Sequence, residues 1–361
     1  MSKYPELIID LKKLKSNIRQ VKNKCMEEGV EIAGIIKGSS GFFEVAKAFD
    51  EEGVSYIGSS RIEQLEPLVG KVKAPLMMIR IPMLSEVSDV VRVTDISLNS
   101  EIEVLKALNE EAKKQDKIHK VILMKDLGDL REGFWSEDDI IEAALLVEND
   151  LSNLYLSGIG TNLGCYGAIT PTEEKLNELV SVAEKIEDKI GRKLDIISGG
   201  ATTSLPRIFE KNMPERINNL RVGEGILLAK DLKDLWGYDM SDMYQDVFKL
   251  RCEVIEVKNK PTHPVGEIFV DAFGNKPTYE DRGIRKRALL AIGKVDYAFI
   301  DELILNEEGA FVVGASSDHT IIDVEDAKRD IKLGDILEFD LCYATIVYIT
   351  NSPNIKKVFI D

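Results

Sequence analysis

Over about 220 residues, short apolar runs alternate with longer amphipathic segments, and this pattern constrains the fold more than any other feature of the chain. Runs at 32–36, 54–58, 76–79, 95–98, 120–125, 157–160, 194–197 and 219–222 have the composition of strands buried on both faces. Segments around 42–52, 60–69, 84–92, 100–116, 137–149, 172–191 and 203–212 carry apolar residues at helical spacing. Such strand–helix pairs match an α/β fold of the (β/α)8 TIM-barrel kind better than an open doubly wound sheet. Upstream, Leu7 to Asp10 reads as a short strand, followed by a helix over 11–28 with apolar Leu11, Leu14, Ile18 and Val21.

After about residue 236 the texture changes. Short runs at 249–257, 268–272, 287–292, 310–313 and 336–341 are separated by Pro, Gly and Asp. A chain of 361 residues exceeds what one core usually holds. The expected division is a barrel over 1–235 and a C-terminal antiparallel β domain over 236–361.

Composition excludes several function classes. A net charge of -16 argues against a nucleic-acid partner, because phosphate backbones need clustered Lys and Arg. No apolar run reaches membrane-spanning length and the first residues are no secretory leader, so no membrane partner and a cytoplasmic location are expected. Cys25, Cys165, Cys252 and Cys342 lie far apart, without the spacing of a disulfide framework or a zinc site.

The strand ends carry the chemistry. Lys37 follows the first barrel strand, then come Ser59-Ser60-Arg61, Arg80 and Asn99-Ser100. Asp126 with Arg131, Thr161-Asn162, Ser198-Gly-Gly200 and Arg221-Val-Gly223 complete the set. Barrels build active sites on this face. A lysine there can have its pKa lowered by desolvation and become nucleophilic toward carbonyls, although a lone strand-terminal lysine more often reaches out to solvent. Arginines and a lysine gathered at one face fit an anionic small molecule. The glycine loops after strands seven and eight match the barrel phosphate site, with backbone N–H groups and the Thr202 and Thr203 hydroxyls as expected donors.

Seven segments spread along the chain resemble the alanine/ornithine racemase family of fold-type III pyridoxal phosphate enzymes. They are Arg80-Ile-Pro-Met83, Asp126-Leu-Gly-Asp-Leu-Arg-Glu-Gly133, Asn162-Leu-Gly-Cys-Tyr-Gly167, Asn219-Leu-Arg-Val-Gly-Glu224, Val270-Asp-Ala-Phe-Gly-Asn-Lys-Pro277, Glu280-Asp-Arg-Gly-Ile-Arg-Lys-Arg287 and Gly314-Ala-Ser-Ser-Asp-His319. The similarity is greatest to the ornithine racemase branch. It implies pyridoxal 5'-phosphate as cofactor, with Lys37 as its Schiff-base lysine and Arg221 facing the pyridine nitrogen. Arg131 matches the arginine near the phenolic oxygen and the substrate carboxylate. Asn162 stands where alanine racemases have a histidine stacked on the ring. Gly200, Ala201, Thr202, Gly223 and Tyr343 match or approximate the phosphate contacts, Tyr343 being as readily read as a cross-strand aromatic.

The implied reaction is interconversion of L- and D-ornithine by removal and return of the Cα proton, which needs a group on each face. Lys37 is one. The family's second group is a tyrosine of the partner subunit, but the matching position here is Phe273, which transfers no proton. Tyr279 and Asp271 are the nearest replacements, with Cys165 and Tyr166 as barrel alternatives. Ser316, Ser317 and Asp318 align with a loop that reaches the neighbouring subunit's substrate carboxylate, which implies a head-to-tail homodimer. His319 and Asp318 are competent metal ligands, but the metal-using relatives carry a histidine where this chain reads Leu341-Cys-Tyr-Ala344. No metal is expected, and Asp318 and His319 take a supporting role. Alternatives are a racemase of lysine or alanine, or a D-amino-acid dehydratase or aldolase on the same fold. Glu224, Asp129 and Glu132 are all open as partners of a δ-amino group.

Overall fold

A computed structural model describes residues 3–361. The chain divides into two compact units: Leu14–Met243, and the residues up to Lys13 together with Tyr244–Asp361. The first strand, β1 (Glu6–Asp10), precedes the barrel in sequence but pairs within the second unit. Asp10 ends it and caps the helix Leu11–Glu27, its Oδ1 accepting the Lys13 amide at 2.9 Å. That helix buries Leu14, Ile18, Val21 and Cys25, one stripe at helical spacing.

The larger unit is a closed barrel of eight parallel strands: β2 (Glu31–Ile35), β3 (Tyr56–Ser59), β4 (Leu76–Met78), β5 (Ile96–Asn99), β6 (His119–Met124), β7 (Leu154–Gly160), β8 (Ile196–Ser198) and β9 (Asn219–Val222). The ring closes where β2 pairs with β9. Its interior is packed by Ala33, Ile35, Met77, Ile96, Leu98, Ile122, Met124 and Ile196. A filled barrel has no pore, so its chemistry is confined to the strand ends.

Three of the expected helices are shorter or composite. The segment 60–69 is the helix Ile62–Leu65 running into a 3-10 turn at Glu66–Leu68, where Pro67 interrupts it. The segment 84–92 is a 3-10 turn, Leu84–Glu86, then the helix Val87–Val93. After β8 only Thr202–Ser204 and Leu205–Phe209 are helical.

The smaller unit contains β10 (Phe248–Pro261), β11 (Ile284–Leu290), β12 (Ile304–Leu305), β13 (Phe311–Ala315), β14 (Thr320–Asp323), β15 (Ile336–Asp340) and β16 (Lys356–Ile360). Their order is β12-β15-β10-β11-β14-β13, antiparallel throughout, and β1 joins β10 antiparallel and β16 parallel. The expected strand at 268–272 does not form. It lies in an irregular connection between β10 and β11 that contains Pro264, Gly266, Gly274 and Pro277, residues that break a ladder.

Candidate functional site

Lys37 opens a 3-10 turn directly after β2. The Ser39 hydroxyl donates to the Ile36 carbonyl at 2.9 Å and so closes that turn. The Lys37 ammonium has no hydrogen bond or ion pair among the described residues. Burial lowers its pKa. Cys165 and Glu132 act to raise it, while Arg131 and Arg221 act to lower it. These four residues come from three other strand ends, so the fold gathers them around one amine.

Arg221, on β9, is 4% exposed and has no carboxylate within ion-pair distance among the described residues. Its Nη1 donates to the Ser198 hydroxyl at 2.5 Å and its Nη2 to the Thr161 carbonyl at 2.6 Å. Ser198 in turn donates to Asn219 Oδ1 at 2.6 Å. Burial pulls the guanidinium down to about 10, still well above neutrality, so the residue stays charged.

The loop after β6 has five charged side chains, and three of them are structural. Lys125 donates to the carbonyls of Asp126, Phe134 and Trp135 at 2.8, 3.2 and 2.8 Å. Asp126 Oδ1 accepts the amides of Gly128 and Leu130 at 2.8 and 3.2 Å. Asp129 is 1% exposed. Its carboxylate accepts the amides of Gly164, Cys165, Tyr166 and Ile169 at 3.1, 3.3, 3.0 and 3.4 Å. It thereby fixes the loop after β7. Gly133 allows the turn back, since a Cβ there would lie 2.4 Å from the Asp126 amide. The remaining pair, Arg131 and Glu132, is bidentate: Arg131 Nη2 donates to Glu132 Oε1 at 2.8 Å and Nε donates to Oε2.

Two glycine loops close the face. Gly200 has φ +112°, and a Cβ on it would come 2.7 Å from Ser204 Oγ. The amides of Gly200 and Ala201 donate to no described group, leaving them available to an anion. Thr202 Oγ1 accepts the Gly225 amide at 3.0 Å, which ties this loop to the one after β9 and leaves the hydroxyl proton free. Thr203 departs from expectation: its hydroxyl donates to the Leu163 carbonyl at 2.8 Å and has no proton left for a ligand. Beside them, Asn162 Nδ2 and Thr161 Oγ1 are buried without a partner among the described residues. Gly223 precedes the short helix Glu224–Leu227. Glu224 accepts the Lys230 and Asp231 amides on Oε1, both at 3.0 Å, and burial followed by the nearby Asp231 pushes its pKa up to about 7.

Six expected site residues belong to the smaller unit. Asp271 closes a tight turn, accepting the amides of Phe273 and Asn275 at 2.9 and 2.8 Å, and the Asn275 contacts hold its pKa down. Tyr279 is exposed, edge-on to His263 at 6.1 Å, and its hydroxyl has no described partner. Ser316, Ser317 and Asp318 form the β13–β14 turn, where Ser316 Oγ accepts the His319 amide at 3.2 Å and Ser317 donates to Asp318 at 2.5 Å. Tyr343 is the first residue of the helix Tyr343–Ile349, not a cross-strand residue. Among the described residues, no three His, Cys, Asp or Glu side chains group to hold a metal.

The structural roles of Lys125 and Asp129 are what the sequence reading missed, Asp129 having stood there as an open partner of a δ-amino group. One strand-terminal lysine looks like another until the loop's carbonyls are placed around it, and the aspartate's four amide partners are 35 to 40 residues downstream. The barrel's other end has a cavity of about 360 Å³, lined by Glu31, Tyr56, Lys120, Ser157 and Asp195 among others, at the N-terminal ends of the strands.

Comparisons with known proteins agree on one family. The alanine racemase N-terminal domain model matches residues 9–230. The ornithine racemase of Acetoanaerobium sticklandii is 44% identical over 354 residues, covering 98% of this chain and 99% of that protein. The lysine racemase of Thermotoga maritima is 38% identical over 359 residues, covering 99% and 98%. In fold, the alanine racemase of a D-cycloserine-producing Streptomyces lavendulae superposes with a TM-score of 0.78 at 14% identity, over 100% of this chain and 98% of that one. With its closed barrel and its cations at the strand ends, the chain belongs to the alanine racemase family.

Proposed function

We propose that this protein racemises ornithine and that Lys37 is the group that moves the Cα proton on one face. The protein is an amino-acid racemase, an isomerase, and its cofactor is pyridoxal 5'-phosphate. The observation that carries the reading is Lys37: a half-buried ammonium with no partner among the described residues, surrounded by side chains from three other strand ends. Ornithine is favoured because the relative acting on it is 44% identical along nearly the whole chain.

The residues present fit the cofactor. Unengaged amides at Gly200 and Ala201, the free proton of Thr202 and the backbone beside Gly223 suit its phosphate. The orphaned Asn162 amide and the buried Arg221 suit its ring, and Lys37 would hold its aldehyde. Tyr343 is assigned to the phosphate on resemblance alone. When bound, the cofactor supplies an electron-withdrawing ring that acidifies the substrate's Cα proton.

The chain's own groups then divide the task. Arg131 binds the substrate carboxylate. Arg221, charged at neutral pH, would donate a hydrogen bond to the ring nitrogen and keep its own proton. Lys37 Nζ takes and returns the proton on one face. For the other face, Tyr279 is the stronger of the two candidates in the smaller unit, since its hydroxyl is unengaged while the Asp271 carboxylate is occupied by its own turn.

Dimerisation is part of the same reading. Val265, Ile268, Phe269, Val270 and Phe273, on the connection between β10 and β11, are all exposed. An apolar run of this kind suits a subunit interface. Ser316, Ser317 and Asp318 would then serve the partner's substrate carboxylate. No helix of the described residues is long and apolar enough to cross a membrane, and the cysteines are all unpaired. We place the enzyme in the cytoplasm.

The test is polarimetry of L-ornithine in D2O with the cofactor and a chelator, run beside L-lysine, L-alanine and D-serine with a keto-acid assay. Rotation decaying to zero with deuterium at Cα and no keto acid is expected. Keto acid or aldehyde that vanishes with the chelator would instead establish a lyase.

A further inference from the structure

We propose that Glu132 selects substrates with a second, distal ammonium group, by releasing Arg131 to the substrate's carboxylate and taking the distal ammonium in exchange. The inference rests on the racemase reading above and deepens it.

The loop after β6, which carries Arg131, and the turn after β9, which follows Arg221, hold the carboxylates Asp126, Asp129, Glu132 and Glu224, and three of these are already committed. Asp126 is buried with Oδ1 held by two amides of its own loop. Asp129 is bound by four amides and is 1% exposed. Glu224 accepts the amides of Lys230 and Asp231, and burial favours its neutral form, a poor partner for a cation. Glu132 differs from all three. Its described hydrogen bonds and ion pair all go to one neighbour, Arg131, and none to backbone. It also acts electrostatically on both Lys37 and Arg221, which places it at the reacting end of the site.

The charge count does the selecting. Arg131 and Glu132 neutralise each other, with the Glu132 side chain only 17% exposed. An amino acid with one carboxylate and an apolar side chain would draw Arg131 away and leave Glu132 largely buried with no partner, an unfavourable state. A diamino acid supplies both missing charges: its α-carboxylate replaces Glu132 at Arg131, and its terminal ammonium replaces Arg131 at Glu132. One ion pair becomes two and no charge is stranded. The preference is therefore set by which charge the wrong substrate would strand, as much as by attraction to the right one.

The experiment compares L-ornithine with L-norvaline, the same carbon chain without the δ-ammonium, in wild type, Glu132→Gln and Glu132→Asp. Bound-cofactor absorbance confirms that each variant is assembled. Glu132→Gln should lose about 100-fold in kcat/KM for ornithine, chiefly through KM. It should hold or gain activity on norvaline, while Glu132→Asp, whose carboxylate is withdrawn by one methylene, should fall between wild type and Glu132→Gln in its preference for ornithine. Equal losses on both substrates would overturn the proposal and leave Glu132 a mere support for Arg131. An unchanged ornithine-to-norvaline ratio would overturn it as well. A wild type that racemises neither compound would overturn the racemase reading itself, a distinguishable failure. If Glu132→Gln does not bind cofactor, Glu132→Asp still decides: a norvaline-to-ornithine ratio that shifts with carboxylate position is expected, and a constant ratio contradicts it.

Discussion

Lys37 follows β2 and Lys125 follows β6, two strand ends on the same face of one barrel, and burial lowers the pKa of both. Lys125 gives its three protons to three carbonyls and lies 5.7 Å over the Trp135 ring. Lys37 gives none to any described residue. The first is a fastener whose charge is satisfied by the fold. The second is a charge the fold leaves for something else to satisfy, held in place by the turn at Ser39 and by neighbours that reach it through space. Desolvation alone does not separate structural from reactive amines; hydrogen-bond partners do.

The comparison can be broken most decisively by activity. Lys37→Ala should lower kcat at least about 1,000-fold, whereas Lys125→Met should keep activity within about 10-fold of wild type. Comparable losses in steady-state assays of the two variants would erase the distinction.

Asp129 extends the fastener idea to an anion. Asp129→Ala leaves four amides without their carboxylate, three of them at Lys37's neighbour Cys165 and the residues on either side of it. Thermal unfolding should show a loss of about 3 kcal/mol, with faster proteolysis at residues 164–169. A variant as stable as wild type would mean the clamp is idle.

A buried carboxyl separates burial from satisfaction in a third way. Glu224 has a folded pKa of about 7 against 4.5 when unfolded. The folded state binds more protons between these values, so this group's contribution is fullest below about pH 4.5 and is lost as pH rises through 7. The gap between the two values corresponds to at most about 3 kcal/mol. Glu224→Gln should flatten the decline in melting temperature between about pH 5 and 8. An unchanged slope would assign that decline to other groups.

The smallest effect has opposite signs at the two lysines. In the cofactor-free protein, Lys125→Met should cost about 2 kcal/mol because it strands three carbonyls. Lys37→Met should stabilise by about 1 kcal/mol, because it removes a desolvated charge with no partner. Denaturant melts of the two apo variants that move in the same direction would refute the contrast.

The barrel was legible because every strand buried on both faces carries its own apolar signature. The positions of Lys37 and Arg221 at strand ends were legible for a related reason, since a charge at the end of such a strand has few places to go. Partners at long range were not. Nothing within Glu6–Asp10 says that it pairs with β10 and β16, because its pattern is that of any half-buried strand. The run at 268–272 has strand-like alternation, yet Ile268 and Val270 are each 42% exposed and the surrounding prolines and glycines prevent pairing. The roles of Lys125, Asp129 and Thr203 depend on which carbonyl or amide a closed loop brings to them. Residue type narrows that choice without making it.

The central claim is that Lys37, and not its buried counterpart, is the amine the fold keeps free. Borohydride reduction of the purified enzyme with its cofactor, followed by proteolysis and mass spectrometry, tests this directly. A single phosphopyridoxyl group on the peptide containing Lys37 is predicted, with the Lys125 peptide unmodified. Label on Lys125, or label that persists unchanged in Lys37→Ala, would contradict the account.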